Sequence, residues 1–398
     1  MAITRRDLLA VGAAMPAAKP EIRSRPPGAA WRAVEEAGRG SPVAFGAWAG
    51  DDRTNTFIAW VAERMRLIFD VRLRHVRPSE PSDAATPLET LDLLSIDRAG
   101  LALLRAKGLV DGAIAGWLPN AAPIDRAIVD EVEFPVGAAV PWRVRRFVFV
   151  HDAVRLPDAP RSMAAWPAWA QSHPGRIAHP PACDPLGAAF LTQALIDLVP
   201  DQDVLGRPAT DAAYAAATAR FWEWYEAVRP TLWRGGAAFP ASVREMRALL
   251  RRGEIDLAMS LNPAEAATEY AHRTLPETVR AFVPDGGSIA PCCYLAVPAA
   301  ASNKAGALLT ANFLLSAEAQ ERASDPVLLG SGSVLALGRP PAASRALSEG
   351  LPRVAGSIAS GEVGVVRGPH WSWGARLALE WERRVRGCQV IASACDGA

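Results

Sequence analysis

Apolar residues recur along this chain in two rhythms. Residues 42–47, Pro-Val-Ala-Phe-Gly-Ala, form an apolar run of the length of a buried strand. A turn follows at Trp48-Ala-Gly-Asp-Asp-Arg. Residues 54–69 place Phe57, Ile58, Val61, Met65 and Ile68 on one helical face, with Thr54 or Asn55 available as the cap. Residues 71–76 alternate Val, Leu and His with Arg and predict a second strand, and residues 91–96 a third. Residues 100–107 predict a short helix stopped by Gly108. Strand, helix, strand in this order points to a parallel sheet with right-handed crossovers.

The middle of the chain continues the alternation. Residues 146–151, Arg-Phe-Val-Phe-Val-His, are an apolar strand. Helices are expected at 162–172, 187–199, 211–228 and 243–251, and strands at 255–259, 279–283 and 293–297. A helix over 305–315 follows. Near the end, Trp373, Leu377 and Trp381 sit at helical spacing within 369–384. No internal repeat is visible.

Composition narrows the class. Of 398 residues, 50% are apolar and 21% charged, which is too apolar for a disordered chain and too charged for a membrane bundle. No apolar run reaches the roughly 18 residues of a membrane span. The formal charge is +1, so no global basic field exists to hold nucleic acid. The opening Thr4-Arg5-Arg6-Asp7-Leu8-Leu9, followed by a weakly apolar stretch ending in small residues, has the order of a twin-arginine export leader. Residues 1–18 are therefore expected to be a signal peptide and 19–39 a flexible spacer, with the mature protein in the periplasm. Removing the leader takes two Arg and one Asp from the count and leaves a neutral chain. Five cysteines (Cys183, Cys292, Cys293, Cys388, Cys395) leave at least one unpaired within the chain. Cys388 and Cys395 could close a small loop, whereas a bridge between the adjacent Cys292 and Cys293 is strained.

Several chemistries lack their motifs. There is no Gly-x-Gly-x-x-Gly after a strand, no Gly-Lys-Ser/Thr phosphate loop and no His-Glu-x-x-His. There is no Gly-x-Ser-x-Gly elbow for a serine nucleophile. The six histidines (His75, His151, His173, His179, His272, His370) never fall three or four residues apart, so no helix presents a paired metal face. No cofactor and no metal site is expected.

Seven segments in order together resemble a known family. They are Phe45-Gly-Ala-Trp-Ala-Gly; Gly108-Leu-Val-Asp-Gly with Leu118-Pro-Asn; Phe147-Val-Phe-Val-His-Asp; His173-Pro-Gly-Arg; Leu232-Trp-Arg-Gly-Gly-Ala-Ala-Phe-Pro-Ala-Ser; Gly253-Glu-Ile-Asp-Leu-Ala-Met-Ser-Leu-Asn-Pro; and Asn303-Lys-Ala-Gly-Ala-Leu-Leu-Thr-Ala-Asn-Phe. From about Trp31 to Arg384 the chain is similar to the family 1 extracellular solute-binding proteins of ABC importers, in a group related to thiamine, polyamine and iron binders. The resemblance implies an α/β, type 2 periplasmic-binding-protein fold: two parallel-sheet-containing lobes joined by crossing strands and closing like a hinge. Lobe one would take residues 40–145 and return with the C-terminal helices at 290–398; lobe two would be 146–289. The implied role is periplasmic capture of a small solute between the lobes and its delivery to a membrane permease, by a monomer that is not an enzyme. The alternatives are a degenerate binding lobe serving as a sensor or interaction protein, and an exported cysteine-dependent enzyme.

Ligands of open parallel sheets bind beyond the carboxyl ends of strands, where helix N-termini offer free N–H groups. That places the candidate contacts at Trp48, Gly50 and Asp51 after the first strand, Asp97 after the third, Asp184 before a helix and Asn262 after a strand. Trp142, Arg143, Cys292 and Tyr294 would join them at the crossings. Tryptophans with carboxylates (Trp48, Trp142, Asp51, Asp97, Asp184) favour an organic cation or heteroaromatic ligand, whereas helix N-termini and Arg143 favour an anion. Three turns that carry polar residues in the family read here Ile96-Asp-Arg-Ala-Gly-Leu, Pro185-Leu-Gly-Ala and Ala290-Pro-Cys-Cys-Tyr. Their apolar character implies a different, more apolar ligand or the loss of tight binding.

Overall fold

The computed structural model describes residues 28–47, 52–77, 87–124, 137–325, 328–335 and 364–387. The leader 1–18, the turn Trp48–Asp51, Cys388 and Cys395 lie outside the described residues. In chain order the main elements are α1 (Gly28–Gly38), β1 (Pro42–Gly46), α2 (Asp52–Phe69), β2 (Arg72–Val76), β3 (Leu93–Ile96), α3 (Arg98–Ala106) and β4 (Val140–Val144). There follow β5 (Val148–Asp152), α4 (Trp166–Ser172), α5 (Pro185–Leu198), α6 (Asp211–Val228), α7 (Val243–Arg252), β6 (Leu257–Ser260), α8 (Glu265–Ala271), β7 (Val279–Phe282) and β8 (Ser288–Ile289). The last are β9 (Cys292–Ala296), α9 (Lys304–Leu314), α10 (Ala317–Ser324), β10 (Val365–Val366) and α11 (Trp371–Val385).

The chain divides into two compact units. Among the described residues the first holds those up to Val144 and those from Cys292 to Leu335; the second holds Arg145–Pro291 and the tail from Gly364. The first unit is built on a five-stranded sheet in the order β2-β1-β3-β9-β4. β1 pairs in parallel with β2 and β3, as the strand-helix-strand pattern predicts. β9 and β4 are antiparallel additions, so the sheet is mixed. α2 covers it with the expected stripe, Phe57, Ile58, Val61 and Met65 all buried. α9 approaches β1 closely, because a Cβ on Gly306 would come within 2.2 Å of Ser41 Oγ. α1 occupies residues expected to be a flexible spacer. It packs against α9, which a solvated linker would not do.

The second unit carries the sheet β6-β5-β7, whose neighbours are antiparallel. Its parallel component is the pair β10-β8 and a single bridge from Ile177 to Leu257. Aromatic packing dominates its core. The Trp166 ring lies 5.3 Å from Phe149, 5.5 Å from Phe190 and 5.9 Å from Trp224. The tail belongs here and not to the first unit, contrary to the expectation for 290–398. Trp373, Leu377 and Trp381 of α11 are buried in this core, with Trp381 4.9 Å from Phe239 and Trp373 Nε1 donating to the Arg207 carbonyl at 2.7 Å. No helix among the described residues is long and apolar enough to cross a membrane.

A histidine lies at the centre of this packing. His179 is fully buried beside Phe190, Phe239 and Trp381. Its Nδ1–H donates to the Pro180 carbonyl at 2.7 Å, which leaves Nε2 to accept from the Tyr225 hydroxyl at 3.0 Å. That arrangement suits the neutral ring, and burial lowers the pKa to about 4. The unfolded chain therefore takes up this proton first as pH falls. Stability from His179 is complete above about pH 6.5 and is lost progressively toward pH 4, by about 3 kcal/mol in all. Urea denaturation between pH 7 and 4 is expected to show this slope, and His179→Gln to remove that part of it.

Candidate functional site

Strand register brings distant residues to one end of the first sheet. β3 ends at Ile96 opposite Tyr294, while β9 begins at Cys292 opposite Val144, the last residue of β4. Arg143 faces Cys293 across an irregularity in the ladder between Pro141 and Arg143. Asp97, Arg143, Cys292 and Tyr294 therefore share the carboxyl end of β3 and β4. The neighbouring Trp48, Gly50 and Asp51 lie outside the described residues.

The side chains at this end have mixed roles. Trp142 was expected as a ligand wall, but its ring is 2% exposed and stacks on Phe57 at 6.1 Å, with Nε1 donating to Ser95 Oγ at 3.0 Å. It is a core residue, fixed by an apolar face and one satisfied donor. Tyr294 is likewise buried, within the cluster of Ala44, Leu94 and Ala296. Arg143 is half-buried; Nε donates to Ser331 Oγ at 2.5 Å and Nη1 to Thr54 Oγ1 at 3.1 Å. These contacts hold the guanidinium at the first turn of α2. Asp97 is exposed and caps α3 by accepting the Gly100 N–H at 2.8 Å. Cys292 is half-buried, its Sγ 3.6 Å from the Cys293 carbonyl.

In the second unit, Val148 of β5 pairs with Ser260, so the start of β5 and the end of β6 coincide. Asn262 follows β6, and both ends of its amide serve the turn. Oδ1 accepts the Ala264 N–H at 2.9 Å, Nδ2 donates to Thr268 Oγ1 at 3.2 Å, and the backbone N–H reaches Ser260 Oγ at 3.0 Å. Ser260 also donates to Glu265, which with Glu269 is paired to Arg247 in a buried cluster. Asn262 thus fastens α8 to the sheet. Asp184 caps α5, accepting the Leu186 N–H at 2.7 Å, with Pro185 in the first helical position. Burial pushes its carboxyl above the usual range, against the pull of the Leu186 and Gly187 N–H groups and of Arg145. The loop before α5 packs so tightly that a Cβ on Gly187 would meet the Pro181 carbonyl at 2.1 Å.

Two arginines at the start of this unit escaped the sequence reading. Arg146 donates through Nε to Ser288 Oγ and through Nη2 to the Gly364 carbonyl, both at 3.0 Å. Arg145 gives its backbone N–H to the Pro291 carbonyl at 2.9 Å, and its Nε is buried without a hydrogen-bond partner. The signal was present as the basic run Arg143-Val-Arg145-Arg146 between two apolar strands.

A cavity of about 540 Å³ opens at the opposite end of the first sheet, lined by Pro42, Arg72, Arg74, Asp92 and Asn303. It faces the amino ends of the parallel strands, the end that open sheets do not use for ligands. Its buried Asp92 carboxylate already accepts the Ala44 N–H at 2.9 Å and the Asn303 N–H at 2.8 Å. Among the described residues no three His, Cys, Asp or Glu side chains gather as a metal site.

Comparison with known proteins defines the class. The periplasmic binding protein AfuA from Actinobacillus pleuropneumoniae, solved with exogenous fructose-6-phosphate bound, superposes with a TM-score of 0.62 at 14% identity, over 87% of this chain and 99% of AfuA. A periplasmic thiamin binding protein gives 0.59 at 16% identity, over 86% of this chain and 96% of its own. The fold is that of the type 2 periplasmic binding proteins, two α/β lobes joined by crossing strands. No protein-family model matches the chain. In sequence, Protein YnjB of Escherichia coli strain K12 is 31% identical over 369 residues, 89% of this chain and 93% of YnjB. The chain belongs to the family of YnjB.

The capping role of Asp184 is testable apart from any ligand. Asp184→Ala is expected to lower the free energy of unfolding by about 1 kcal/mol, and Asp184→Asn by much less, because an amide oxygen accepts the same N–H. Equal losses in urea titrations of the two variants would mean that the charge matters and the cap does not.

Proposed function

We propose that this chain is a periplasmic solute-binding protein of an ABC transporter. It captures a small solute reversibly and delivers it to a permease in the inner membrane, acting as an exported monomer without catalysis of its own. The observation that carries the reading is the completeness of the fold: the chain matches 96–99% of the length of binding proteins such as AfuA and the thiamin binder. Export fits the twin-arginine leader read in residues 4–9.

The preference for a cationic ligand loses support. It rested on Trp48, Trp142, Asp51, Asp97 and Asp184: Trp142 is core, Asp97 and Asp184 cap helices, and Trp48 and Asp51 lie outside the described residues. The same commitments favour a second reading, a binding fold kept as a sensor after its contacts were lost. Thermal melting separates the two. The protein, stripped of ligand by unfolding and refolding, is melted with thiamin, putrescine, fructose 6-phosphate, inorganic phosphate and ferric ion. A true ligand at 100 times its Kd adds roughly 2.7 kcal/mol, a clear rise in Tm. Solute capture predicts such a rise with one class; no rise with any contradicts it and favours the sensor.

A further inference from the structure

Among the described residues of the second unit, Arg145 is the charged side chain whose buried donor lacks a hydrogen-bond partner. Its guanidinium is charged at every accessible pH and offers five donors in a fixed fork. The side chain is half-buried, and Nε is shut off from solvent without a partner. Among the described residues it forms no ion pair with a carboxylate. The arginines on either side differ in this respect: Arg143 is held by two hydroxyls, Arg146 by a hydroxyl and a carbonyl. Native proteins seldom leave a buried charged donor unsatisfied, so a lone one calls for a functional or structural reason.

Its surroundings restrict what that ligand is. The backbone of Arg145 is fixed by its bond to Pro291, so the side chain starts from a rigid point in the crossing. The guanidinium is near enough to Asp184, at the head of α5, to pull on that carboxyl, yet forms no ion pair with it. Asp184 spends an oxygen on the Leu186 N–H, and burial disfavours its charged form. A cationic group placed here would meet a fixed, partnerless positive charge. An oxyanion would meet donors that match its geometry.

We propose that Arg145 receives a negatively charged group of the captured solute, so that the ligand class is a small carboxylate or phosphate. This rests on the reading of the chain as a solute-binding protein and adds the sign of the ligand's charge and the residue that selects it. Arg145 gives up no internal partner on binding, so its role is separable from folding.

The test is calorimetric titration of the full chain with inorganic phosphate, malonate and fructose 6-phosphate against thiamin and putrescine, in the wild type, Arg145→Ala and Arg145→Lys. At least one anion is expected to bind in the wild type. Arg145→Ala weakens it about 10- to 100-fold and Arg145→Lys less, while the Tm of the unliganded variants stays unchanged. Equal anion affinity in Arg145→Ala overturns the assignment. Binding of thiamin or putrescine alone overturns it too, but leaves solute capture standing. Silence from all five probes counts against both.

Discussion

Everything in this molecule depends on two chain crossings that hydrogen-bond to each other. β4 and β9 run antiparallel up to the pair Val144 and Cys292, and the pairing continues as Arg145 N–H to the Pro291 carbonyl and Phe147 N–H to the Ile289 carbonyl at 3.1 Å. The chain must therefore come back beside the place where it left. That return inserts β9 between β3 and β4, turning a parallel sheet into a mixed one, and brings Tyr294 opposite Ile96. It also delivers Asn303, whose backbone N–H satisfies the buried Asp92 more than 200 residues earlier. A loop closure of that length costs only slowly more entropy than a short one, and paired backbone groups offset it at each step.

The crossing also gathers charge. Three arginines fall within four residues, and the structure disposes of them differently. Arg143 is oriented by Thr54 and Ser331, and Arg146 ties the tail to β8 through Gly364 and Ser288. Only Arg145 of the three is left with a buried donor and no partner among the described residues. Within the second unit Asp184 caps a helix, and Glu265 with Glu269 is paired to Arg247 in the interior.

Much of the fold was legible from periodicity, and its failures have physical causes. The helix at Asp211–Val228 matches its expected bounds because Thr210 caps it and neither Gly nor Pro interrupts the residues that follow. β4 is hard to read although Val-Pro-Trp-Arg-Val alternates in burial: five residues are short and Pro141 argues against a strand, which forms because β9 pairs with it. α8 was missed because Glu-Ala-Ala-Thr-Glu-Tyr-Ala reads as solvated, whereas Arg247 allows both glutamates to be buried. The tail helix was found from its Trp373, Leu377 and Trp381 stripe, but a stripe says that a face is buried and not against what. The site was less legible for a related reason. Asp97, Asp184 and Asn262 stand where ligand contacts stand, at turns beside helix starts, and such turns need caps with or without a ligand. Arg145 shows in the sequence only as part of the basic run Arg143-Val-Arg145-Arg146, and packing is what reveals that its buried donor lacks a partner.

The proposed role requires that this chain hold a small solute. Native mass spectrometry of the protein, purified without unfolding from a cell that exports it, tests that most directly. Solute capture predicts a one-to-one adduct that is released on denaturation and carries a carboxylate or phosphate. A bare polypeptide mass, unchanged after incubation with the small-molecule extract of the same cells, would contradict it.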